Sequence, residues 1–544
     1  RIRVLAMGLV VFLAFGLIVA RLLVLQVQRH EDLADQAENN RTAVVPSVPN
    51  RGQILDRNGV VLATNYSAYT LEITRSKLAD LDDTLEELSK VVDIQPHDKR
   101  RFKRLVEDAR SFESLPIRTR LTDEEVARFA AQRYRFPGVD IKARLFRTYP
   151  LGDVGGHAIG YIGRINHGKL GIEQSYEQQL HGTTGVELME TSAGGRAVRK
   201  LHSRPATPGH SIMLSIDIKL QKLVEDLYGE RRGALVAIDP RNGEILALVS
   251  KPTFDPNLFV EGIDQENWQA LKESINKPLL NRALRGLYPP GSTYKPFMAL
   301  AALQLNKRSP SLVINDPGYY SFGGRTFRSH EGGLGGVDMV RAIQFSSNTY
   351  FYSLGVEMGV DTIHDFMAPL GFGQITGIDL GGELSGVLPS TQWKRQTNKR
   401  PEAKRWFPGE TVSLGIGQGY NNFTMLQLAL AEATLANGGT RYRPHLAKAV
   451  RDPPPGENLG FLPKNIDVVR RSLVAVNEAG TGRRVFTGAA YSSGGKTGTA
   501  QAVSLGQNVK YNARALEEHK RDHSLFAAFA PADNPRIAVA LIVE

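Results

Sequence analysis

Tyr288-Pro-Pro-Gly-Ser-Thr-Tyr-Lys295 runs directly into Pro296-Phe-Met-Ala-Leu-Ala-Ala-Leu303. Pro-Gly makes a turn, and the apolar stretch after it reads as a helix. Pro296 is compatible with a helix that starts near Ser292 or Thr293, because first-turn N–H groups have no intrahelical partners. Positions i and i+3 share a helix face, so Ser292 and Lys295 point the same way. Strand texture lies on both sides of this helix. Upstream, Ala234-Leu-Val-Ala-Ile238, the turn Asp239-Pro-Arg-Asn-Gly243 and Glu244-Ile-Leu-Ala-Leu-Val249 form a hairpin. Downstream, strand texture returns near 493–503, and residues 524–529 and 536–543 make a second apolar pair. One sheet is therefore expected from both ends of residues 211–544, with a helical insertion over roughly 265–440. Its strands are apolar on both faces, so the insertion is expected to cover them.

The chain has 544 residues, 42% hydrophobic and 23% charged, an ordinary globular mix that excludes global disorder. The absence of cysteine excludes a disulfide scaffold, a thiolate nucleophile and any Cys-based zinc or iron–sulfur site. The net charge of +11 permits an anionic partner without naming it. No polybasic tail of the nucleic-acid-binding kind is present.

Residues 4–25 carry one charge, Arg21. As a helix they reach about 33 Å, enough for a bilayer core. Arg21 lies near one end, where its stem can snorkel. A cleaved signal peptide would be shorter and followed by a small-residue cleavage pattern. Residues 1–27 are thus expected as a membrane anchor. Arg1 and Arg3 favour a cytoplasmic N-terminus and put the remainder outside. Residues 28–50 read as a stalk. Residues 51–210 read as an elongated mixed pedestal without catalytic spacing. It opens on Arg51-Gly-Gln-Ile-Leu-Asp56-Arg-Asn-Gly59, a strand and turn. It carries a helical insert at 77–135, where Leu78, Leu81, Leu85 and Leu88 recur at helical spacing and Thr122-Asp-Glu-Glu125 resembles a capped start. Gly155 to Gly171 reads as loop, and 186–217 as extended.

Two further motifs accompany Ser292-Thr-Tyr-Lys295. Ser346-Ser347-Asn348 sits at a junction of two helices, where Ser346 can relay a proton and Asn348 can hold a substrate carbonyl. Lys496-Thr-Gly-Thr499 opens an apolar strand; Gly498 lets a substrate backbone lie close, and Thr497 and Thr499 offer hydroxyls. A P-loop is excluded, because the glycine that should open it is replaced by alanine and the context is a strand.

The order Ser-x-x-Lys, Ser-x-Asn, Lys-Thr-Gly is the signature of serine penicillin-recognising acyl transferases. With gaps of 51 residues from Lys295 to Ser346 and 148 from Asn348 to Lys496, and with the anchor, Arg51-Gly…Gly59, Gly171-Ile-Glu-Gln-Ser and Gly415-Ile-Gly-Gln-Gly419, the chain resembles the class B penicillin-binding proteins. Arg521-Asp-His-Ser and Ala528-Phe-Ala-Pro531 make it most similar to their elongation-specific branch. The resemblance implies an α+β multidomain protein: a penicillin-binding/β-lactamase-like transpeptidase domain on the pedestal, held in the inner membrane and facing the periplasm. It implies D-Ala-D-Ala cross-linking of peptidoglycan stem peptides and acylation by β-lactam antibiotics. The partners it implies are a membrane glycosyltransferase and a rod-shape scaffold protein, with no nucleic acid. Neutral Lys295 would take the Ser292 proton, Ser346 and Lys496 would serve the leaving group, and backbone N–H groups of Ser292 and Thr499 would form the oxyanion hole. Lys496 is expected near the open cleft, charged for a substrate carboxylate. Some relatives have a zinc site in the region of Asp316 and His330; without cysteine, no metal or cofactor is expected here. The alternatives are a catalytically silent scaffold and a β-lactamase or D,D-carboxypeptidase of the same fold.

Overall fold

The computed structural model describes residues 1–31, 33, 42–109, 113–163, 166–191, 197–329, 332–448, 455–501 and 516–544. It divides into two compact units: Arg1–Gly52, Asn65–Arg147 and His181–His210, and Gln53–Thr64, Thr148–Leu180 and Ser211–Glu544.

In the first unit, helix α1 (Ile2–Leu23) continues as a π-helical segment through Gln28. The stretch Leu5–Gln28 spans 24 residues, is strongly apolar and is exposed along most of its length. Among the described residues it is the one helix long and apolar enough to cross a membrane, in line with the expected anchor. Strands Thr42–Ser47, Gly185–Thr191 and Ala197–Arg204 form an antiparallel sheet. A separate core gathers Leu71, Ile73, Phe102 and Phe129 around Leu85 and Leu88. Those leucines come from helix Leu81–Leu88, which Asp80 caps by accepting from Asp83 N at 2.9 Å. The cap fixes the start at Leu81 and leaves Leu78 outside the helix. Thr122 and Glu125 form the expected capping box of Asp123–Gln132. The stretch 77–135 is not helical throughout: Ser114–Arg118 is a strand paired with part of Val61–Thr74. Ile117 is buried and Leu115 packs beside it, a period of two that is too short to register against the helical repeat.

The second unit is built on five antiparallel strands: β1 (Gly233–Ile238), β2 (Ile245–Lys251), β3 (Gly494–Ala500), β4 (His523–Ala530) and β5 (Ile537–Val543). Their order is β2-β1-β5-β4-β3, so both ends of the sequence meet in one sheet, as expected, and β3 lies at an edge. Alternation sorts the two faces. Ala234, Val236, Ile238, Ala538, Ala540 and Ile542 join the main core, with α2 (Lys295–Gln304), α3 (Asn348–Met358) and α6 (Met425–Ala436). Leu235, Ala237, Leu246 and Val249 face the other way, onto Tyr228, Leu220 and Val224. Those belong to helix Ile218–Tyr228, which precedes the sheet. The insertion therefore covers one face only, and this earlier helix covers the other. Asp56, fully buried, ties the opening motif to it: Oδ1 accepts from Asn58 N and Val60 N, and Oδ2 from Ile218 N. Between Gly155 and Gly171 the expected loop contains a helical turn, Gly156–Ile159. Helices α4 (Thr391–Thr397) and α5 (Pro408–Leu414) lie between α3 and α6 in the chain.

Candidate active site

Gly291 brings the first and third motifs together. Its φ is +55°, and its N–H donates to Gly417 O at 3.0 Å. A Cβ here would stand 2.3 Å from Thr499 O and 3.3 Å from Thr499 N, so only glycine lets β3 approach the nucleophile turn. Gly498 is as tightly placed: a Cβ would meet Thr293 Cγ2 at 2.8 Å and Pro290 O at 3.1 Å. Residues Gly291–Tyr294 form a 3₁₀ turn, and the α-helix begins at Lys295, three residues later than the earliest expected start. Pro296 then occupies its first turn. Ser292 is half-buried on that turn, whereas Lys295 and the residues through Leu303 are buried. Burial of side chains such as Phe297, Met298 and Leu300 is worth about 1.5–3 kcal/mol each and locks the helix that carries Lys295.

Lys295 joins the first motif to the second. Its Nζ donates to Ser346 O at 2.6 Å and Asn348 Oδ1 at 2.7 Å, and it stands 3.1 Å from Ser346 Oγ. Ser346 holds φ at +61°, a left-handed conformation that costs a non-glycine residue about 1–2 kcal/mol. That reversal lies between helix Met339–Gln344 and α3, the junction expected from the sequence, and lets the Ser346 carbonyl and the Asn348 side chain reach the same amine. Ser347 caps α3, accepting from Tyr350 N at 3.2 Å. It also donates to Asp316 Oδ2 at 2.5 Å.

Lys496 departs from expectation. It is fully buried rather than near the open cleft, and its Nζ donates to Thr497 O at 2.9 Å and makes a longer contact of 3.4 Å to Thr497 Oγ1. Strand alternation explains this. Lys496 shares a face with Gly498, which abuts the 290–293 turn, while Thr497 and Thr499 keep access to solvent. Thr497 Oγ1 shares a 2.7 Å hydrogen bond with Thr481 Oγ1, and Gln418 Nε2 donates to Thr499 O at 2.9 Å. The edge of β3 thus lies beside Ser292, the arrangement by which an extended peptide can pair with a strand.

The predicted site residues Ser292, Lys295, Ser346, Asn348, Lys496, Thr497, Gly498 and Thr499 come from the 3₁₀ turn, α2, the reversal before α3, α3 itself and β3, all in the second unit. Asp316, Thr481 and Gln418 join these residues without belonging to any of the three motifs. Their partners lie 16 to 81 positions away, and no local pattern signals such contacts. Asp316 Oδ1 accepts from Gly318 N at 2.8 Å and its Oδ2 from Ser347 Oγ, and the chain has no cysteine to join it in a zinc site. His330 lies outside the described residues.

A serine on a tight turn, a buried lysine on the next turn bound to a Ser-x-Asn reversal, and a Lys-Thr-Gly edge strand lie within one region of the chain. Residues 233–544 match the family model "Penicillin binding protein transpeptidase domain", and 46–214 match "Penicillin-binding Protein dimerisation domain". The chain belongs to the penicillin-binding proteins. Among them, it is 40% identical over 570 residues to "Peptidoglycan D,D-transpeptidase MrdA" of Acinetobacter baumannii, covering 98% of this chain and 84% of that protein. A penicillin-binding protein PBP2 from Helicobacter pylori, solved in complex with MreC, is 28% identical with a TM-score of 0.80, covering 92% of this chain and 95% of that one. A chain solved under the description "Structural coordination of polymerization and crosslinking by a peptidoglycan synthase complex" is 29% identical with a TM-score of 0.72, covering 100% and 94%.

Proposed function

We propose that this penicillin-binding protein is a peptidoglycan D,D-transpeptidase in which Ser292 carries the acyl group and Lys295 is its base. The observation that carries the reading is the set of oxygens around Lys295. A neutral amine has two N–H donors and one lone pair. The Ser346 carbonyl and Asn348 Oδ1 can only accept, so they take the two N–H groups. In that form the lone pair can accept a hydroxyl proton. Complete burial also disfavours the ammonium form.

The Ser292 Oγ–H proton passes to Lys295 Nζ as Oγ bonds to the carbonyl carbon of the penultimate D-Ala. Backbone N–H groups of Ser292 and Thr499 take the developing oxyanion charge, each worth about 3–4 kcal/mol. The carbon–nitrogen bond to the terminal D-Ala then breaks, and its nitrogen receives a proton through Ser346 Oγ, with Lys295 resupplying that hydroxyl. Lys496 beside Thr497 supplies positive potential. An acceptor amine next attacks the ester carbon, gives up a proton, and Ser292 leaves with its own restored. Asn348 and the edge of β3 align the donor peptide. A β-lactam follows the first half and stays on Ser292.

The same reading assigns residues 1–27 to an inner-membrane anchor, 28–50 to a stalk, 51–210 to a pedestal and 211–544 to a periplasmic transpeptidase domain. The MreC-bound relative supports a rod-shape scaffold partner, and the synthase-complex relative supports a membrane glycosyltransferase partner. Similarity over nearly the whole chain to a D,D-transpeptidase favours cross-linking over a lactamase or a silent scaffold. The test is incubation of the full chain with a nascent pentapeptide strand and an acceptor. Cross-linked product that disappears with Ser292→Ala supports the reading; product that persists ends it.

A further inference from the structure

Residues 394–405 read Lys-Arg-Gln-Thr-Asn-Lys-Arg-Pro-Glu-Ala-Lys-Arg, six basic residues and one acidic in twelve. The first differs from the rest. Lys394 is 4% exposed and donates to both oxygens of Glu410 at 2.5 Å. Its Nζ stands 5.3 Å, 5.4 Å and 5.7 Å from the ring centres of Trp406, Phe407 and Tyr420. Glu410 also accepts from Phe407 N at 2.9 Å and Tyr420 Oη at 3.0 Å. Burial pushes its carboxyl up, but the Lys394 ammonium and these donors hold it below the usual range. Lys394 lies on α4 and Glu410 on α5, so this pair fastens both ends of the intervening segment. Within it, Arg395, Lys399, Arg400, Lys404 and Arg405 are exposed, and none forms an ion pair among the described residues. Phe407 and Tyr420 border them, 49% and 41% exposed. The aromatic end reaches the acyl site through the chain: Gln418, two residues before Tyr420, donates to Thr499 O.

We propose that this fastened basic segment, with Phe407 and Tyr420 at its border, docks the carboxylate-bearing glycopeptide strand that feeds the acyl site. The inference rests on the transpeptidase reading and adds a recognition surface for the polymer beyond the reacting dipeptide. Charge complementarity argues for this occupant. Stem peptides place free carboxylates repeatedly along the strand, and the exposed rings offer faces for its sugars. One exposed ion pair contributes little, but five cations facing a polyanion act together and raise its local concentration. Holding the segment in a closed loop reduces the ordering cost on binding.

The experiment compares the detergent-solubilised full chain with two variants: Arg395→Glu/Lys399→Glu/Arg400→Glu/Lys404→Glu, and the same four positions changed to Gln. Three readouts are co-sedimentation with purified sacculi, co-sedimentation with carboxyl-amidated sacculi, and flotation with vesicles of phosphatidylglycerol and phosphatidylethanolamine. Acylation of Ser292 by a fluorescent penicillin is measured alongside. We expect the parent to bind sacculi more weakly as salt rises, and to bind amidated sacculi at least 10-fold more weakly. The Glu variant should lose at least 10-fold in sacculus binding and the Gln variant less, while both acylate at the parent rate. The acylating Gln variant keeps the test valid if four reversals unfold the protein. Unchanged sacculus binding by either acylating variant overturns the proposal. So does a loss confined to vesicles, which would assign the segment to a lipid surface. Failure of the parent itself to acylate would instead overturn the Ser292 reading, independently of the sacculus result.

Discussion

Ser347 Oγ donates to Asp316 Oδ2 at 2.5 Å, and both residues are buried. Ser347 stands between Ser346 and Asn348, whose oxygens receive the Lys295 amine. Asp316 therefore holds the segment whose oxygens orient the Lys295 amine, the base of the proposed mechanism. A buried hydrogen bond to a charged group contributes about 1.5–3 kcal/mol, and its loss leaves an unpaired donor.

Asp316→Ala should lower the second-order acylation rate with a β-lactam about 10- to 100-fold and lower the melting temperature. Asp316→Asn, which keeps one acceptor oxygen, should recover much of both. Ser347→Ala should resemble Asp316→Ala, and the double variant should add little to either. Stopped-flow acylation across pH 6–9 separates positioning from plain destabilisation: mispositioning shifts the limb set by Lys295, whereas loss of folded protein scales the curve uniformly.

Ser292→Ala should abolish covalent labelling by a fluorescent penicillin. Ser292 is half-buried on a 3₁₀ turn, and alanine fits that turn without strain, so the melting temperature should stay within a few degrees. Peptide mass mapping of the adduct is the check. Stoichiometric label on another residue of the variant would remove Ser292 from its role.

The sequence made the sheet legible because its strands are short apolar runs bounded by turn residues, such as Asp239 to Gly243. It made the three motifs legible because each is local. What it did not show depends on distant partners. Leu235 and Val236 are both apolar, and only the fold reveals that one faces helix Ile218–Tyr228 and the other α2's core. Lys496 looked like a cleft residue because a charge at a strand start is ordinarily exposed. The contact of Gly498 with the 290–293 turn, which no local pattern encodes, buries that face instead. Asp316 lies where some relatives have a zinc site, but nothing local in the sequence shows that its oxygens accept from Gly318 N and Ser347 Oγ.

Glu432 offers a pH test of the core. It lies on α6, fully buried, and neither carboxyl oxygen has a partner among the described residues. Burial pushes its pKa up to about 8. A folded pKa above the unfolded one means that the folded state binds the extra proton. Stability should therefore fall as pH rises from about 4.5 to 8, by at most about 1.4 kcal/mol per pH unit, and level off above that range. Glu432→Gln keeps the shape without the acid. Its melting temperature should exceed the parent's by more at pH 8.5 than at pH 5.5. Equal differences at the two pH values would mean that Glu432 is ionised in the fold.

The two lysines should answer differently to arginine. Lys295 Nζ donates to the Ser346 carbonyl and Asn348 Oδ1, and in the proposed mechanism its neutral form accepts the Ser292 proton on its lone pair. Arginine stays protonated and has no such lone pair. Its planar fork is also longer than the ammonium it replaces, at a site with no solvent access. Lys295→Arg should therefore lose acylation by about 1,000-fold or more between pH 6 and 9, a deficit that raising the pH does not repair. In the proposed mechanism Lys496 serves through its charge, which arginine keeps. Because Lys496 is itself buried against the 290–293 turn, the exchange still costs packing, and Lys496→Arg should retain about a tenth of the parent rate. Its loss should fall mainly on binding of donors that bear a carboxylate. The rival role for Lys295 is a structural hydrogen-bond donor, for which arginine would serve nearly as well. The deciding measurement is the acylation rate of both variants with one β-lactam across that pH range, with thermal unfolding recorded on the same samples. Near-parent acylation by folded Lys295→Arg would remove the general base from the mechanism, and the Ser292 proton would then need another acceptor.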